Sequence, residues 1–258
     1  MKFHTLIASD VDGTLIPEET TVLPQSIIEQ ISAAYDQGVL FMASSGRPYP
    51  SLRTLFAPVA DKMAFSVVNG GAIFYQDELR YTNGLPRELA MEIAAYLLTV
   101  PECECMVDDT WGSTLLPKTD AFVHHIRDEM QFRCRCIERV EDIPEQPLKI
   151  AAYCVNGAAN VAAALQQDWS GRVNVLQAGQ QWVDFNLSDK GKGMLAACDV
   201  FGIPHERTIA FGDNWNDAPM LRCANQAFLM RSAKPELKAL FPTLCDDVAE
   251  EIKKVLKN

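Results

Sequence analysis

What constrains this chain most is a recurring unit: a short apolar run that ends in a polar, glycine-bearing turn and gives way to an amphipathic stretch. Phe3 to Ser9 runs into Asp10-Val11-Asp12-Gly13-Thr14, and Val39 to Ala43 runs into Ser44-Ser45-Gly46-Arg47. Phe65 to Val68 is closed by Asn69-Gly70-Gly71, and Thr208 to Phe211 by Gly212-Asp213. Between the first two runs, Pro24 suits a first helical position, Ile27, Ile28, Ile31, Ala34 and Tyr35 recur at helical spacing, and Gly38 stands just past the end. Pro48 can open the next helix. Buried strands alternating with amphipathic helices mark a parallel sheet. The carboxyl ends of such strands converge on one crevice, so turn residues far apart in sequence can meet there.

A hairpin (Ala72 to Tyr75, Leu79 to Tyr81) ends this rhythm, and from Pro86 to Trp182 the pattern changes. That segment reads as helix (Pro86 to Leu98), strands (Cys103 to Val107, Ser113 to Leu116), helix (Asp120 to Met130), further strands and a helix near Asn160 to Gln167, without phosphate-type turns. The rhythm then resumes with a helix from Gly193, the strand at Thr208, a helix from Asn216, a strand from Ala227 to Met230 and a last helix from Asp247. The expected fold is α/β: a Rossmann-like parallel-sheet core, 1–82 and 187–258, interrupted by an inserted α/β domain, 83–186.

A chain of 258 residues that is 48% hydrophobic can bury a core without disulfide or zinc staples. No apolar run approaches the ~18 residues of a membrane span, and the first residues lead straight into a strand rather than an export signal. The eight cysteines are therefore expected as thiols in a reducing cytoplasm. A formal charge of -11 repels nucleic acid and anionic membranes at long range, while a local cation can still admit a small anionic substrate. No obligate protein partner is evident.

Asp10 and Asp12 crowd two negative charges at one strand end, and Asp213 adds a third; such crowding calls for a cation. Carboxylate oxygens suit Mg²⁺, and zinc's usual His/Cys set is missing from these turns. Lys190 and Ser45 can donate to an anion held against that metal. A carboxylate nucleophile, a cation, a lysine and a hydroxyl are the parts of a phosphoryl-transfer site, with a second aspartate to carry the proton.

In order along the chain, DVDGT (Asp10 to Thr14), SSGR (Ser44 to Arg47), DKGKG (Asp189 to Gly193) and GDNWND (Gly212 to Asp217) resemble the four motifs of the haloacid dehalogenase superfamily. An insertion between the second and third resembles the Cof-type phosphatase branch, subfamily IIB, with its large α/β cap. The resemblance implies an Mg²⁺-dependent phosphatase that hydrolyses small phosphorylated metabolites, sugar phosphates or nucleotide-type cofactors, through an aspartyl-phosphate. It implies Asp10 as nucleophile and metal ligand, Asp12 as acid/base with its carbonyl on the metal, and Asp213 as the other ligand. Ser45, Gly46 and Lys190 would hold the phosphoryl group, with Val11 and Asn216 beside it. Asp217 would stand behind the metal or the lysine, and Arg47 and Asn69 near the substrate mouth. A phosphomutase of the same fold and a non-catalytic sugar-phosphate binding protein are the alternatives.

Three departures from the family pattern stand out: Ser45 replaces a commoner threonine, Asn69-Gly70-Gly71 replaces NGA, and Arg231 replaces a glycine, either adding a cation near the site or pointing to solvent. A competing signal is Gly191-Lys192-Gly193-Met194-Leu195-Ala196, which fits a dinucleotide-binding fingerprint with Asp213 about twenty residues on. The segment before it, Asp184 to Lys190, reads as too polar for a buried strand, which argues against that alternative. Cys103, Cys105, Cys134 and Cys136, with His124 and His125 between, lack structural zinc spacing and are expected as sheet thiols. Trp215 either lines the mouth of the site or packs against the insertion.

Overall fold

The computed structural model describes residues 2–17, 20 and 22–257. In chain order it begins with β1 (Thr5–Ser9), α1 (Gln25–Asp36), β2 (Val39–Ser44), α2 (Tyr49–Leu55), β3 (Met63–Val67), β4 (Ala72–Tyr75) and β5 (Glu78–Thr82). Next come α3 (Arg87–Thr99), β6 (Cys103–Asp108), β7 (Ser113–Leu116), α4 (Asp120–His124), β8 (Cys134–Cys136), β9 (Lys149–Cys154), α5 (Ala162–Trp169), β10 (Asn174–Gln177) and β11 (Trp182–Asn186). The chain ends with α6 (Lys190–Phe201), β12 (Thr208–Gly212), α7 (Ala218–Cys223), β13 (Gln226–Met230), α8 (Pro235–Leu240), β14 (Leu244–Cys245) and α9 (Val248–Val255). Two compact units result: one from Met1–Arg47, Ser51–Thr82 and Asp189–Asn258, the other from Pro48–Pro50 and Asn83–Ser188.

The first unit holds an eight-stranded sheet in the order β14-β13-β12-β1-β2-β3-β4-β5. Pairing is parallel from β14 through β3 and antiparallel for the β3-β4-β5 hairpins. Every residue of β2, β3 and β12 is buried, which is why these strands read as unbroken apolar runs rather than alternating ones. α1 buries Ile27, Ile31 and Ala34, the stripe its spacing predicts, and ends where Gly38 takes φ +75°.

The second unit holds a six-stranded sheet, β10-β11-β9-β6-β7-β8, antiparallel except for β7 with β8. Ala90, Ile93, Ala94 and Leu97 of α3 and Leu165 and Trp169 of α5 pack with Cys103, Cys105, Val107, Ile150, Ala152, Val183 and Phe185 of the sheet. All eight cysteines are free thiols; Cys103 and Cys105 are core residues, whereas Cys134 and Cys136 lie on the edge strand β8.

Four sequence expectations are corrected. The helix expected over Asp120 to Met130 is a short α4 followed by a π-helical turn, His125–Glu129. The helix expected from Gly193 begins at Lys190, because the Asp189 carboxylate accepts the Lys192 N–H at 2.9 Å and caps it. The helix expected from Asn216 opens as a 3₁₀ turn, Trp215–Asp217, that leads into α7. Finally, Trp182–Asn186 is a buried strand despite its polarity: the Lys149 ammonium lies 3.0 Å from Asp184 and 3.3 Å from Asp108, so the buried charges are met. This strand pairs antiparallel with β9 and β10, so the glycine fingerprint after it does not belong to a parallel βαβ unit. No helix among the described residues is long and apolar enough to cross a membrane.

Candidate active site

Within the first unit, the turns after β1, β2 and β12 leave the carboxyl ends of neighbouring parallel strands. The Asp10 N–H bonds to the Phe211 carbonyl at 3.0 Å, extending the β1–β12 ladder one residue, and the Ser45 N–H does the same to Ser66 at 2.9 Å. After Asp10 the chain folds back on itself: the Leu15 and Ile16 N–H groups both bond to the Val11 carbonyl, at 2.9 and 3.0 Å. Gly13 makes this possible with φ +89°, and a Cβ there would lie 2.6 Å from an Asp213 oxygen. Thr14 Oγ1 donates to the other Asp213 oxygen at 2.7 Å.

At the centre is Lys190. A lysine on the first turn of a helix is ordinarily exposed, yet this one is buried, its ammonium hydrogen-bonded to Asp10 and, at 2.5 Å, to Asp217. The other Asp217 oxygen accepts the Asp213 and Asn214 N–H groups, both at 2.9 Å, which ties the turn after β12 to the same cluster. Burial works to lower the Lys190 pKa, but the charges and hydrogen bonds of Asp10 and Asp217 outweigh it and hold it above its ordinary value. Asp10 is pushed well above the carboxylate range by burial and by the charge of Asp217, with Lys190 opposing. Asp213 is raised by burial and by Asp217, against the Thr14 hydrogen bond.

Asp10, Asp213 and Asp217 bring carboxylate oxygens within 4.8 Å of one another, forming the one group of three His, Cys, Asp or Glu side chains close enough to share a metal among the described residues. The donors are all carboxylate oxygens, two of the three carboxyls have raised pKa values, and this combination fits a hard divalent cation. His124, His125 and the cysteines of the insertion form no such group.

The remaining expected residues divide. Asp12 makes no hydrogen bond or ion pair with Lys190; both its oxygens accept from the Arg47 fork, at 2.9 and 2.5 Å. Ser45 Oγ accepts the Arg47 N–H at 3.1 Å, and the Ser45 carbonyl accepts the Asn69 N–H at 2.9 Å. Val68 and Asn69 hold φ +52° and +53°, a conformation costly for a β-branched residue, and Val68 is pinned in it by its N–H bond to the Arg47 carbonyl at 3.2 Å. The buried Oδ1 of Asn69 has no hydrogen-bond partner, and a Cβ on Gly46 would lie 3.4 Å from that side-chain amide. Val11 is buried, Asn216 is exposed outside the Lys190 cluster, and Arg231 pairs in solvent with Asp246 at 2.7 and 2.9 Å, which settles its open reading. The sequence reading missed the left-handed Val68, for which only the glycines after Asn69 gave a signal. It also missed the part of Thr14 in holding Asp213.

The carboxyl ends of parallel strands in an α/β sheet thus gather a lysine-bridged cluster of carboxylates. A family model of haloacid dehalogenase-like hydrolases matches residues 7–251, and the chain belongs to that family. It is 24% identical to the 5-amino-6-(5-phospho-D-ribitylamino)uracil phosphatase YbjI of Escherichia coli (strain K12), over 88% of this chain and 85% of that protein. Among solved structures, one from Eubacterium rectale superposes with a TM-score of 0.89 at 22% identity, covering 98% of this chain and 99% of that one. The subclass IIB sugar phosphatase BT4131 superposes with a TM-score of 0.80 at 22% identity, covering 97% and 98%.

Proposed function

We propose that this protein is a cytoplasmic Mg²⁺-dependent phosphatase that hydrolyses a small phosphorylated metabolite through an aspartyl-phosphate on Asp10. The observation that carries the reading is the buried Lys190 ammonium bonded to Asp10 and Asp217, with the Asp213 carboxylate beside them. Asp10 and Asp213, with the Asp12 carbonyl, would hold Mg²⁺, which when bound supplies positive charge against the crowded carboxylates and the phosphoryl oxygens.

In this reading an Asp10 oxygen attacks phosphorus, the bond to the ester oxygen breaks, and Asp12 gives the departing alkoxide a proton. Asp12 then takes a proton from water, which attacks the same phosphorus, releases inorganic phosphate and restores Asp10. Arg47 bonds to both Asp12 oxygens, and a phosphoryl group is the natural competitor for a guanidinium, so substrate binding would free those oxygens to meet the leaving alcohol and water. Lys190 keeps Asp10 in place and neutralises charge on the transferred oxygens, with Ser45, Gly46, Val11, Asn69 and Asn216 as the further phosphate or substrate contacts. The segment 83–186 is assigned the choice among alcohols, as the specificity domain of a core made of 1–82 and 187–258.

The names of relatives support the class: YbjI is named for a phosphorylated ribitylaminouracil and BT4131 for sugar phosphates. The test is a phosphate-release screen over a metabolite panel with Mg²⁺ and with a chelator, followed by acid quenching during turnover and mapping of the phosphorylated peptide. Phosphate on the Asp10 peptide is expected. Release without Mg²⁺, or a phosphorylated residue elsewhere, overturns the mechanism.

A further inference from the structure

Trp215 is the most exposed Phe, Tyr or Trp among the described residues, with 48% of its surface open to solvent. Its position is not that of a stray surface aromatic. It stands two residues after Asp213 and two before Asp217, on the turn that leaves the carboxyl end of β12. The backbone of that turn is held at several points: Asn214 Oδ1 accepts the Trp215 N–H at 2.9 Å, the Asn214 carbonyl accepts the Asp217 N–H at 3.1 Å, and the Ala218 N–H returns to the Trp215 carbonyl. The Asp217 carboxylate, itself fixed by Lys190, holds the Asp213 and Asn214 N–H groups. A rigid turn thus carries a large flat apolar surface among Asp213, Asn214, Asn216 and Asp217, with no ring or cation stacked on it among the described residues.

Leaving an indole half in water costs stability that burial would recover, and an aromatic partner adds specific stacking to plain apolar contact. The polar groups around it handle what every phosphate ester shares; the indole can favour only what lies beyond the phosphate. Resting on the phosphatase reading above, we propose that Trp215 adds a contribution from the core to the choice assigned to segment 83–186: it is a specificity-determining residue that favours phosphate esters whose alcohol carries a flat conjugated ring over purely aliphatic sugar phosphates. It acts by stacking on the ring and takes no part in the chemistry.

The test compares wild type, Trp215→Ala and Trp215→Phe, as full chains with Mg²⁺, on pyridoxine 5′-phosphate and glucose 6-phosphate. The ratio of kcat/KM for the ring-bearing ester to that for the sugar phosphate should fall about three- to tenfold in Trp215→Ala, mainly through KM, and recover in Trp215→Phe. In an Asp10→Asn background, pyridoxine 5′-phosphate should quench tryptophan emission, and Trp215→Phe should remove most of that quenching. An unchanged ratio, or equal loss on both esters together with a lowered melting temperature, overturns the inference and leaves the phosphatase reading standing. If wild type releases phosphate from neither these nor any ester of the panel, the phosphatase reading falls, and this inference with it.

Discussion

Lys190 and Asp217 form an ion pair from which water is wholly excluded: Nζ and Oδ1 are 2.5 Å apart and both side chains are 0% exposed. The pair joins the first turn of α6 to the turn after β12, and through Lys190 it reaches Asp10 at the end of β1. One lysine therefore fixes three separate pieces of chain. Buried ion pairs of this kind contribute little net stability when intact, because desolvation offsets attraction, but breaking one strands the other charge.

Asp217→Ala should destabilise the protein, read as a lower urea midpoint for the unit that carries α6, by less than the about 3–5 kcal/mol of a wholly unpaired buried charge, because Asp10 still faces the Lys190 ammonium. The loss has a second source, since the Asp213 and Asn214 N–H groups forfeit their acceptor. Asp217→Asn, which keeps an acceptor oxygen and loses the charge, should fall between wild type and Ala. Equal midpoints for all three proteins would mean that the turn is held by other contacts.

Asp10→Asn separates function from stability. Activity should drop by several orders of magnitude, while the fold gains wherever Asp10 would be ionised. The folded pKa of Asp10 is raised by burial and by Asp217, so between the ordinary carboxylate value near 4 and the folded value the native state keeps a proton that the unfolded chain has released. That contribution to stability is complete below about pH 4 and is lost as pH rises through the folded value. In chelator-treated protein, the melting temperature of Asp10→Asn should therefore pull ahead of wild type as pH climbs from about 4 to 8, and Mg²⁺ should close the gap. A gap that narrows with rising pH would reverse the sign assigned to Asp10.

How much of this could be read from residues alone depends on whether the cause was local. β1, β2, β3 and β12 were legible because strands flanked on both sides need apolar residues at nearly every position, and the turns after them were legible because Asp, Asn, Ser and Gly cluster there. β11 was not legible: its Asp184 is tolerated only because Lys149, 35 residues earlier, comes to lie against it. The burial of Lys190 was hidden for the same reason, since no feature of Asp189-Lys190-Gly191 announces that Asp10 and Asp217 will surround the ammonium. The pairing of Asp12 with Arg47 likewise joins two turns read separately. At Arg231 the sequence left two readings, and Asp246 decided between them.

Gly13 offers a test of the turn itself. A side chain there meets two separate penalties: φ +89° strains any L-residue, and its Cβ would press on the Asp213 carboxylate at 2.6 Å. Gly13→Ala should cost roughly 1–2 kcal/mol from the backbone alone. The more telling result is Mg²⁺ binding by calorimetry, which should weaken about tenfold or more as Asp213 is displaced from Thr14 and Asp10. Unaltered Mg²⁺ affinity would show that Asp213 is not part of the metal site.

Arg47 distinguishes phosphate binding from the positioning of Asp12. Its fork reaches both Asp12 oxygens, and lysine, a single point donor, cannot reproduce that geometry. Losing one charge-assisted hydrogen bond of about 1.5–3 kcal/mol should lower kcat/KM of Arg47→Lys by about tenfold or more. The two roles part in inhibition by inorganic phosphate. If the guanidinium leaves Asp12 to grip the phosphoryl group, KM and the phosphate inhibition constant should rise together while kcat changes little. If Arg47 instead holds Asp12 in line for proton transfer, kcat should fall and phosphate should inhibit as it does in wild type. The geometry favours the first outcome, because a phosphoryl group offers the guanidinium fork the same kind of paired acceptor oxygens that Asp12 does.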